Sequence, residues 1–157
     1  MLMENAPASG SVEMSSQNGD FVGQGADYLF SDNNGVFSVS GRFTERGDLN
    51  LLSISFHGED YWSFVFLAPE GELLTVGKYA DALRASFPNP VKPGIEISGA
   101  GRGCNRISGD FTIEEIGFTR LKTLDTFVAK FNQRCENSTS ILTGSVGIVV
   151  QSNERSP

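Results

Sequence analysis

The sequence predicts an all-β fold: an antiparallel β-sandwich of about eight to ten strands, with a closed meander β-barrel as the alternative. Three observations support the class. Apolar and polar residues alternate over many segments, turn-forming residues separate those segments, and the 157 residues include 18 glycines and 12 phenylalanines. That composition suits tight turns between strands with aromatic inward faces. The connections are too short for helical crossovers.

The alternation is clearest between residues 37 and 67. Phe37, Val39 and Phe43 share one face of a first predicted strand. The next two strands repeat the pattern, and their predicted inward residues are Leu52, Ile54, Phe56, Trp62, Phe64 and Phe66. A period of two residues is typical of strands with one buried face.

The segment from residue 73 to residue 94 is less regular. We expect a strand over residues 73–78 and then an irregular or short helical piece, because residues 80–85 have helix propensity. The prolines that follow predict an extended surface crossover. Beyond it, residues 95–98, 107–119, 124–134 and 142–150 predict further strands, the middle two forming a long hairpin.

We expect one domain over residues 18–151, between a disordered leader at 1–17 and a disordered tail at 152–157. The leader lacks the basic and apolar regions of a signal peptide. No stretch approaches the ~20 apolar residues that span a bilayer. An exported protein would therefore have its signal outside this chain.

The charge balance excludes some partners. There are 12 basic and 19 acidic residues, a net charge of −7. Nucleic-acid binding and polybasic membrane binding both depend on concentrated positive charge, so neither is expected. One histidine and the absence of a Cys-x-x-Cys spacing argue against a metal site, and we expect no cofactor.

Cys104 and Cys135 are the only cysteines. In a small β domain such a pair forms a disulfide or remains as two buried thiols. We favour the disulfide, which would close a loop of about 32 residues and stabilise the fold by roughly 3–4 kcal/mol. A persistent disulfide would also imply an oxidising compartment.

The residues around both cysteines resemble a known family. The specific motifs are the two that contain a cysteine, Gly101–Asn105 and Phe127–Glu136. Looser matches occur at Gly19–Gly25, Asp60–Phe66, Gly77–Tyr79, Ser108–Thr112 and Leu142–Val146. Over residues 19–150 the chain resembles an uncharacterised bacterial domain of secreted and cell-surface proteins. That domain has a Gly-Arg-Gly-Cys-Asn turn and a later Cys-Glu.

The resemblance implies an architecture and export, and it implies no mechanism. The chain departs from the family pattern at Arg134, where His is expected, and at Asn137, where Gly is expected. Any role of that histidine is therefore not transferred to this chain.

Arg102, Asn105 and Glu136 surround the two cysteines. One interpretation is a polar recognition loop. We favour a structural turn, in which Arg102 pairs with Glu136 once the disulfide joins the loops, and Asn105 hydrogen-bonds the turn.

The richest aromatic and polar cluster contains His57, Asp60 and Tyr61, and Tyr79 lies further along the chain. An exposed aromatic side chain on a β-sandwich suits stacking against a sugar ring. Trp62 shares a face with Phe64, so we expect it in the core, whereas its neighbour Tyr61 faces the other way.

The acidic residues give no catalytic pattern. Glu114 and Glu115 are adjacent in a predicted strand and so point to opposite faces, which does not produce the paired carboxylates of a glycosidase. Together with this lack of a catalytic pattern, the resemblance to the secreted bacterial domain implies a non-catalytic module, secreted or at the cell surface, that binds a glycan or protein without inserting into a membrane. A cytoplasmic location stays open. The alternatives are a purely structural or accessory domain and then a carboxylate-dependent hydrolase.

Overall fold

The computed structural model describes residues 2–44 and 49–151, and no helix occurs in these two ranges. They contain ten β-strands: Leu2–Ser16 (β1), Asp27–Ser31 (β2), Val36–Phe43 (β3), Leu49–His57 (β4), Tyr61–Leu67 (β5), Gly77–Arg84 (β6), Gly94–Gly99 (β7), Ile107–Phe118 (β8), Leu124–Cys135 (β9) and Ile141–Val150 (β10). The all-β prediction is confirmed.

All ten strands belong to one hydrogen-bonded sheet, in the order β10-β9-β8-β6-β7-β5-β4-β3-β1-β2. Because β1 also pairs with β10 along residues 8–16, the pairings form a closed circuit with β2 attached to β1. The pairings are antiparallel, except that β6 and β7 meet in parallel at Leu83↔Gly94 and Arg84↔Ile95. Over the described ranges, the hydrogen bonds do not divide the strands into the two sheets of a sandwich.

The inward side chains of this sheet fill one core. Of the predicted inward residues of β3, β4 and β5, Phe43 is partly buried. The others are buried: Phe37, Val39, Leu52, Ile54, Phe56, Trp62, Phe64 and Phe66. Aromatic rings from distant strands meet there, with the Phe66 ring centroid 5.1 Å from that of Phe111 and 5.4 Å from that of Phe127. Burial of each such side chain contributes about 1.5–3 kcal/mol.

The first strand corrects one expectation. Residues 1–17 are predicted as a disordered leader, but Leu2–Ser16 forms β1. Its partners are β10 on one edge and β3 and β2 on the other. Ala8, Val12 and Met14 enter the core, and these small or flexible side chains give a weak strand signal. Met1 and the predicted tail at 152–157 lie outside the described residues.

Strand β6 corrects a second expectation. We predict a strand at 73–78 and helical or irregular chain after it, yet the strand is Gly77–Arg84. It pairs with β8, interrupted by an irregularity between Tyr79 and Ala82. At this bulge Asp81 has a positive φ of 57°. Pairing with β8 therefore overrides the local helix propensity of residues 80–85.

The backbone hydrogen bonding of the sheet is interrupted where β7 separates from β6, and we call this interruption at Ile97 the seam. Their pairing stops at Ile95, so the free edge of β7 at Ile97 needs another partner. Gln133 of β9 provides it. Its Oε1 accepts from the Ile97 N–H (2.8 Å), and its Nε2 donates to the Ile97 carbonyl (2.9 Å). This side-chain amide, fully buried, takes the place of a neighbouring strand.

Candidate functional site

The glycine-dense segment after β7 forms a tight hairpin. Gly99 and Arg102 exchange two backbone hydrogen bonds, of 3.0 and 2.9 Å. The two residues between them, Ala100 and Gly101, have φ angles of 52° and 78°. Two successive positive φ angles are typical of the type I′ turn, whose twist matches that of the flanking strands. The predicted turn is thus a two-residue hairpin.

Arg102 does not pair with Glu136 as we expected. Its Nε donates to the carbonyl oxygen of Val22 (2.9 Å), in the loop between β1 and β2. Glu136 instead accepts, through Oε1, the backbone N–H of Asn105 (2.6 Å). The reason is the turn geometry: Arg102 lies opposite Gly99 in the hairpin, and from there its side chain reaches the loop between β1 and β2.

The predicted disulfide joins Cys104 to Cys135, with a Cα–Cα distance of 5.2 Å and a sequence separation of 31 residues. Both residues are buried, at 3% and 2% exposure. The bond ties the chain after the hairpin to the end of β9. The Nε2 atom of Gln133 lies 3.7 Å from the Cys104 sulfur. The disulfide and the amide therefore lie side by side where β7 separates from β6.

His57 and Tyr61 lie together on the outer face, as neighbours across the β4–β5 turn. Their ring centroids are 4.7 Å apart and the rings are tilted by 53°. The Tyr61 hydroxyl lies 3.3 Å from the Ser55 Oγ. Tyr61 remains half exposed (50%), whereas Trp62 is buried as predicted.

An ion pair that the sequence argument did not identify lies beside this cluster. Arg84 of β6 donates through Nε to Glu96 of β7 at 3.1 Å. Glu96 also accepts from the backbone N–H and the hydroxyl of Ser86, at 2.9 and 2.6 Å. Arg84 donates in addition to the Asn105 carbonyl (3.2 Å), which connects the ion pair to the disulfide loop. The two residues are 12 apart in sequence, so only the β6–β7 connection brings them together.

Of the predicted site residues, Asp60, Tyr61 and Arg102 line a groove together with the ion pair. Its first part, of about 460 Å³, is lined by Asp60, Tyr61, Arg84, Glu96, Ser98 and residues 99–103. Its second part, of about 280 Å³, is lined by Leu51, Ser63, Val65, Ala85, Ser86, Glu96 and Ser98. Because Glu96 and Ser98 line both parts, the two depressions adjoin at these residues. We call this the β5–β7 groove.

Hydroxyl groups form the floor of the groove and its continuation. Cross-strand neighbours place four serines in one row over β3, β4, β5 and β7, in the order Ser38, Ser55, Ser63 and Ser98. All four are partly exposed. Within the described ranges, the hydroxyls of Ser63 and Ser98 have no hydrogen-bond partner in the protein. The sequence contained a signal for this row, since these serines occupy outward positions of alternating strands.

Tyr79 is not part of the groove. Its ring stacks on Phe111 at 4.7 Å with an interplanar angle of 9°, and its hydroxyl accepts from the Thr75 N–H at 2.8 Å. It also donates toward the carbonyl of Leu73 (3.2 Å). These contacts make Tyr79 an anchor for the chain before β6, so the structure separates it from His57, Asp60 and Tyr61.

Two other carboxylates are engaged by side chains of β9. Glu114 forms an ion pair with Lys130 at 3.4 Å, and Asp110 accepts from Asn132 at 3.1 Å. Among residues 2–44 and 49–151, no three His, Cys, Asp or Glu side chains form a group that could hold a metal ion.

The comparisons with known proteins give no relative: no protein-family model, curated protein or solved structure matches the chain. The resemblance to a secreted bacterial domain therefore stays a prediction. The described ranges contain no helix long and apolar enough to cross a membrane.

Proposed function

We propose that the protein is a non-catalytic, extracytoplasmic binding module that holds a glycan in the β5–β7 groove. The proposal is supported by the combination of an aromatic ring, free hydroxyl groups and an ion pair in this groove. The aromatic side chain of Tyr61, which is half exposed, lies at one end of the groove. Its floor carries unpaired hydroxyls and its wall carries an ion pair. Sugars present C–H faces that pack against aromatic rings and hydroxyls that hydrogen-bond polar groups.

The chemistry of the groove favours a glycan over a protein partner. The centres of protein interfaces are depleted in serine and in acidic residues. Here Ser63, Ser98 and Glu96 occupy the middle of the groove. Serine hydroxyls both donate and accept hydrogen bonds, as sugar hydroxyls do, and Glu96 adds acceptor oxygens.

The environment of Glu96 suits a role in binding. Three donors converge on this carboxylate, namely Arg84 Nε and the N–H and hydroxyl of Ser86. These contacts fix its position in the wall of the groove. A carboxylate has about four acceptor positions, so Glu96 can accept further hydrogen bonds from sugar hydroxyls.

An extracytoplasmic location is proposed because of the Cys104–Cys135 bond. Disulfides persist in oxidising compartments and are rare in reducing ones. Mass spectrometry under non-reducing conditions, on protein from its native source, should give a mass two hydrogens below that of the reduced chain. Two free thiols in that sample would overturn the location.

The binding proposal is tested with Tyr61→Ala on a glycan array and by calorimetry with the best array ligand. We expect wild-type binding to weaken by about tenfold, the equivalent of roughly 1.4 kcal/mol. Phe21→Ala is the matched control, because Phe21 is equally exposed at 52% and does not line the groove. If no glycan binds the wild type, the domain has a structural or accessory role. Equal loss in both variants would place the ligand elsewhere.

A further inference from the structure

The shape of the groove indicates which kind of glycan it holds, and this inference rests on the proposed function. The groove follows the direction of β5. Tyr61 lines its first part, Val65 lines its second part, and Leu51, which pairs with Leu67, lines its far end. At about 3.3 Å per residue, the distance from the level of Tyr61 to that of Leu67 is roughly 20 Å. This length exceeds that of a single sugar ring.

At the hairpin end, part of the groove wall carries no side chain. Gly101 and Gly103 line it there. A methyl group added at Gly101 would meet no atom within 4 Å, and one added at Gly103 would have its nearest neighbour at 3.7 Å. A glycan chain that occupies the groove can therefore continue past the hairpin. The site does not require the chain terminus that a closed pocket would select.

The charges along the groove are balanced. Its two acidic residues are Asp60 and Glu96, and its two basic residues are Arg84 and Arg102. Arg84 and Glu96 neutralise each other in the ion pair, and Arg102 is held by a carbonyl oxygen of the protein. The chain as a whole carries a net charge of −7, which repels polyanions at long range.

We infer that the ligand is a neutral, linear polysaccharide, bound through several consecutive sugar rings laid along β5 and β7. Tyr61 stacks on a ring near the open end. Ser63, Ser98 and Glu96 hydrogen-bond hydroxyls of rings further along. A single terminal sugar would use only a fraction of these contacts.

The test uses oligosaccharide series of increasing length on one array: β-glucan, α-glucan, mannan, xylan and galactan fragments from the monosaccharide upward, with uronic-acid and sulfated series beside them. We expect at least one neutral series to bind, with affinity rising by about tenfold or more between one ring and four rings. Strongest binding to a monosaccharide, or to an anionic series, would overturn the inference and leave the proposed function intact. Absence of binding to every series would overturn both.

A variant in the middle of the groove gives an independent readout. Ser98→Gln places a longer side chain between the two parts, so affinity for a four-ring fragment should fall by about tenfold. Affinity for the monosaccharide should change little. Ser145→Gln is the control, since Ser145 is a partly exposed serine on the outer face of β10, away from the groove. Equal affinities of Ser98→Gln and wild type for the four-ring fragment would contradict the inference.

Discussion

Replacement of Gln133 by glutamate tests the role of the buried amide at the seam. In the wild type, the Gln133 side chain accepts from the Ile97 N–H and donates to the Ile97 carbonyl. A protonated glutamic acid can make the same two hydrogen bonds, since it carries one acceptor oxygen and one O–H donor. An ionised glutamate has no donor, so it faces the Ile97 carbonyl with a buried negative charge. Gln133→Glu should therefore be tolerated only in its neutral form.

The size of the effect follows from linkage. An unfolded glutamate has a pKa of about 4.3, and full burial raises the pKa of a carboxyl group by roughly 3–5 units. Between those two pKa values the folded variant binds more protons than the unfolded one, so its stability falls as pH rises. At roughly 1.4 kcal/mol per pH unit, the variant should lose about 3–4 kcal/mol against wild type at pH 7. Below about pH 4 the loss should be under about 1 kcal/mol.

Urea denaturation of the oxidised protein between about pH 3 and pH 8 measures this difference at each pH. Gln24→Glu is the control. The Gln24 side chain is exposed and bonded only to the Phe21 carbonyl, so its change should stay within about 0.5 kcal/mol throughout. A Gln133→Glu loss that does not vary with pH, or one below about 1 kcal/mol at pH 7, would refute the assignment of the amide as a replacement for a strand.

Three further predictions concern the hairpin, the disulfide and the sheet edge. Gly99→Ala should destabilise the fold by about 3 kcal/mol or more, because its methyl group would overlap the indole ring of Trp62. Gly103→Ala, measured in the same urea titration, should cost under about 1 kcal/mol. Replacing Cys104 and Cys135 by serine should remove about 3–4 kcal/mol, as the loop-entropy relation gives for this spacing, and an unchanged denaturation midpoint would contradict that. Asn34→Ala should expose the edge of β2 and produce dimers or larger species in light scattering, whereas a strictly monomeric variant would show that the edge needs no cover.

The parts of the fold that could be predicted are those where local pattern and tertiary partners agree. In β3, β4 and β5 large apolar residues alternate with serines, so the periodicity alone assigns the inward face. In β1 the inward positions include Ala8, Val12 and Met14, and their hydrophobicity is too low to distinguish a strand from a disordered leader. Its strand conformation depends on partners that are up to 142 residues away, such as Val150 opposite Ala8.

The candidate site was predictable only in part, for the same reason. Asp60 and Tyr61 adjoin a turn that the sequence makes evident, and their outward direction follows from the burial of Trp62. Arg84 and Glu96 meet because β6 and β7 run in parallel for two residue pairs. That short contact depends on how the rest of the sheet closes, and no periodicity in the sequence indicates it.

Side-chain amides occupy several places where the sheet has no neighbouring strand. Asn34 donates to the Leu29 carbonyl at 2.9 Å and accepts from the Ser31 N–H at 2.8 Å, and so covers the edge of β2. Gln133 does the same for β7 at Ile97. Buried or edge backbone groups left without partners are costly. These amides therefore satisfy backbone groups of the sheet that have no partner on a neighbouring strand.

The seam at Gln133 links this structural device to the proposed binding function. Glu96 and Ser98, at the centre of the groove, flank Ile97 in β7. That strand is held by β5 on one edge and, at Ile97, by the Gln133 amide on the other. A loss of those two hydrogen bonds would free the middle of β7 and shift the polar groups that face the ligand. The Gln133→Glu variant should therefore bind glycan more weakly when residue 133 is ionised than when it is protonated, although this residue faces the core. If stability and glycan affinity change over the same pH range, the two hydrogen bonds to Ile97 hold the floor of the groove in place.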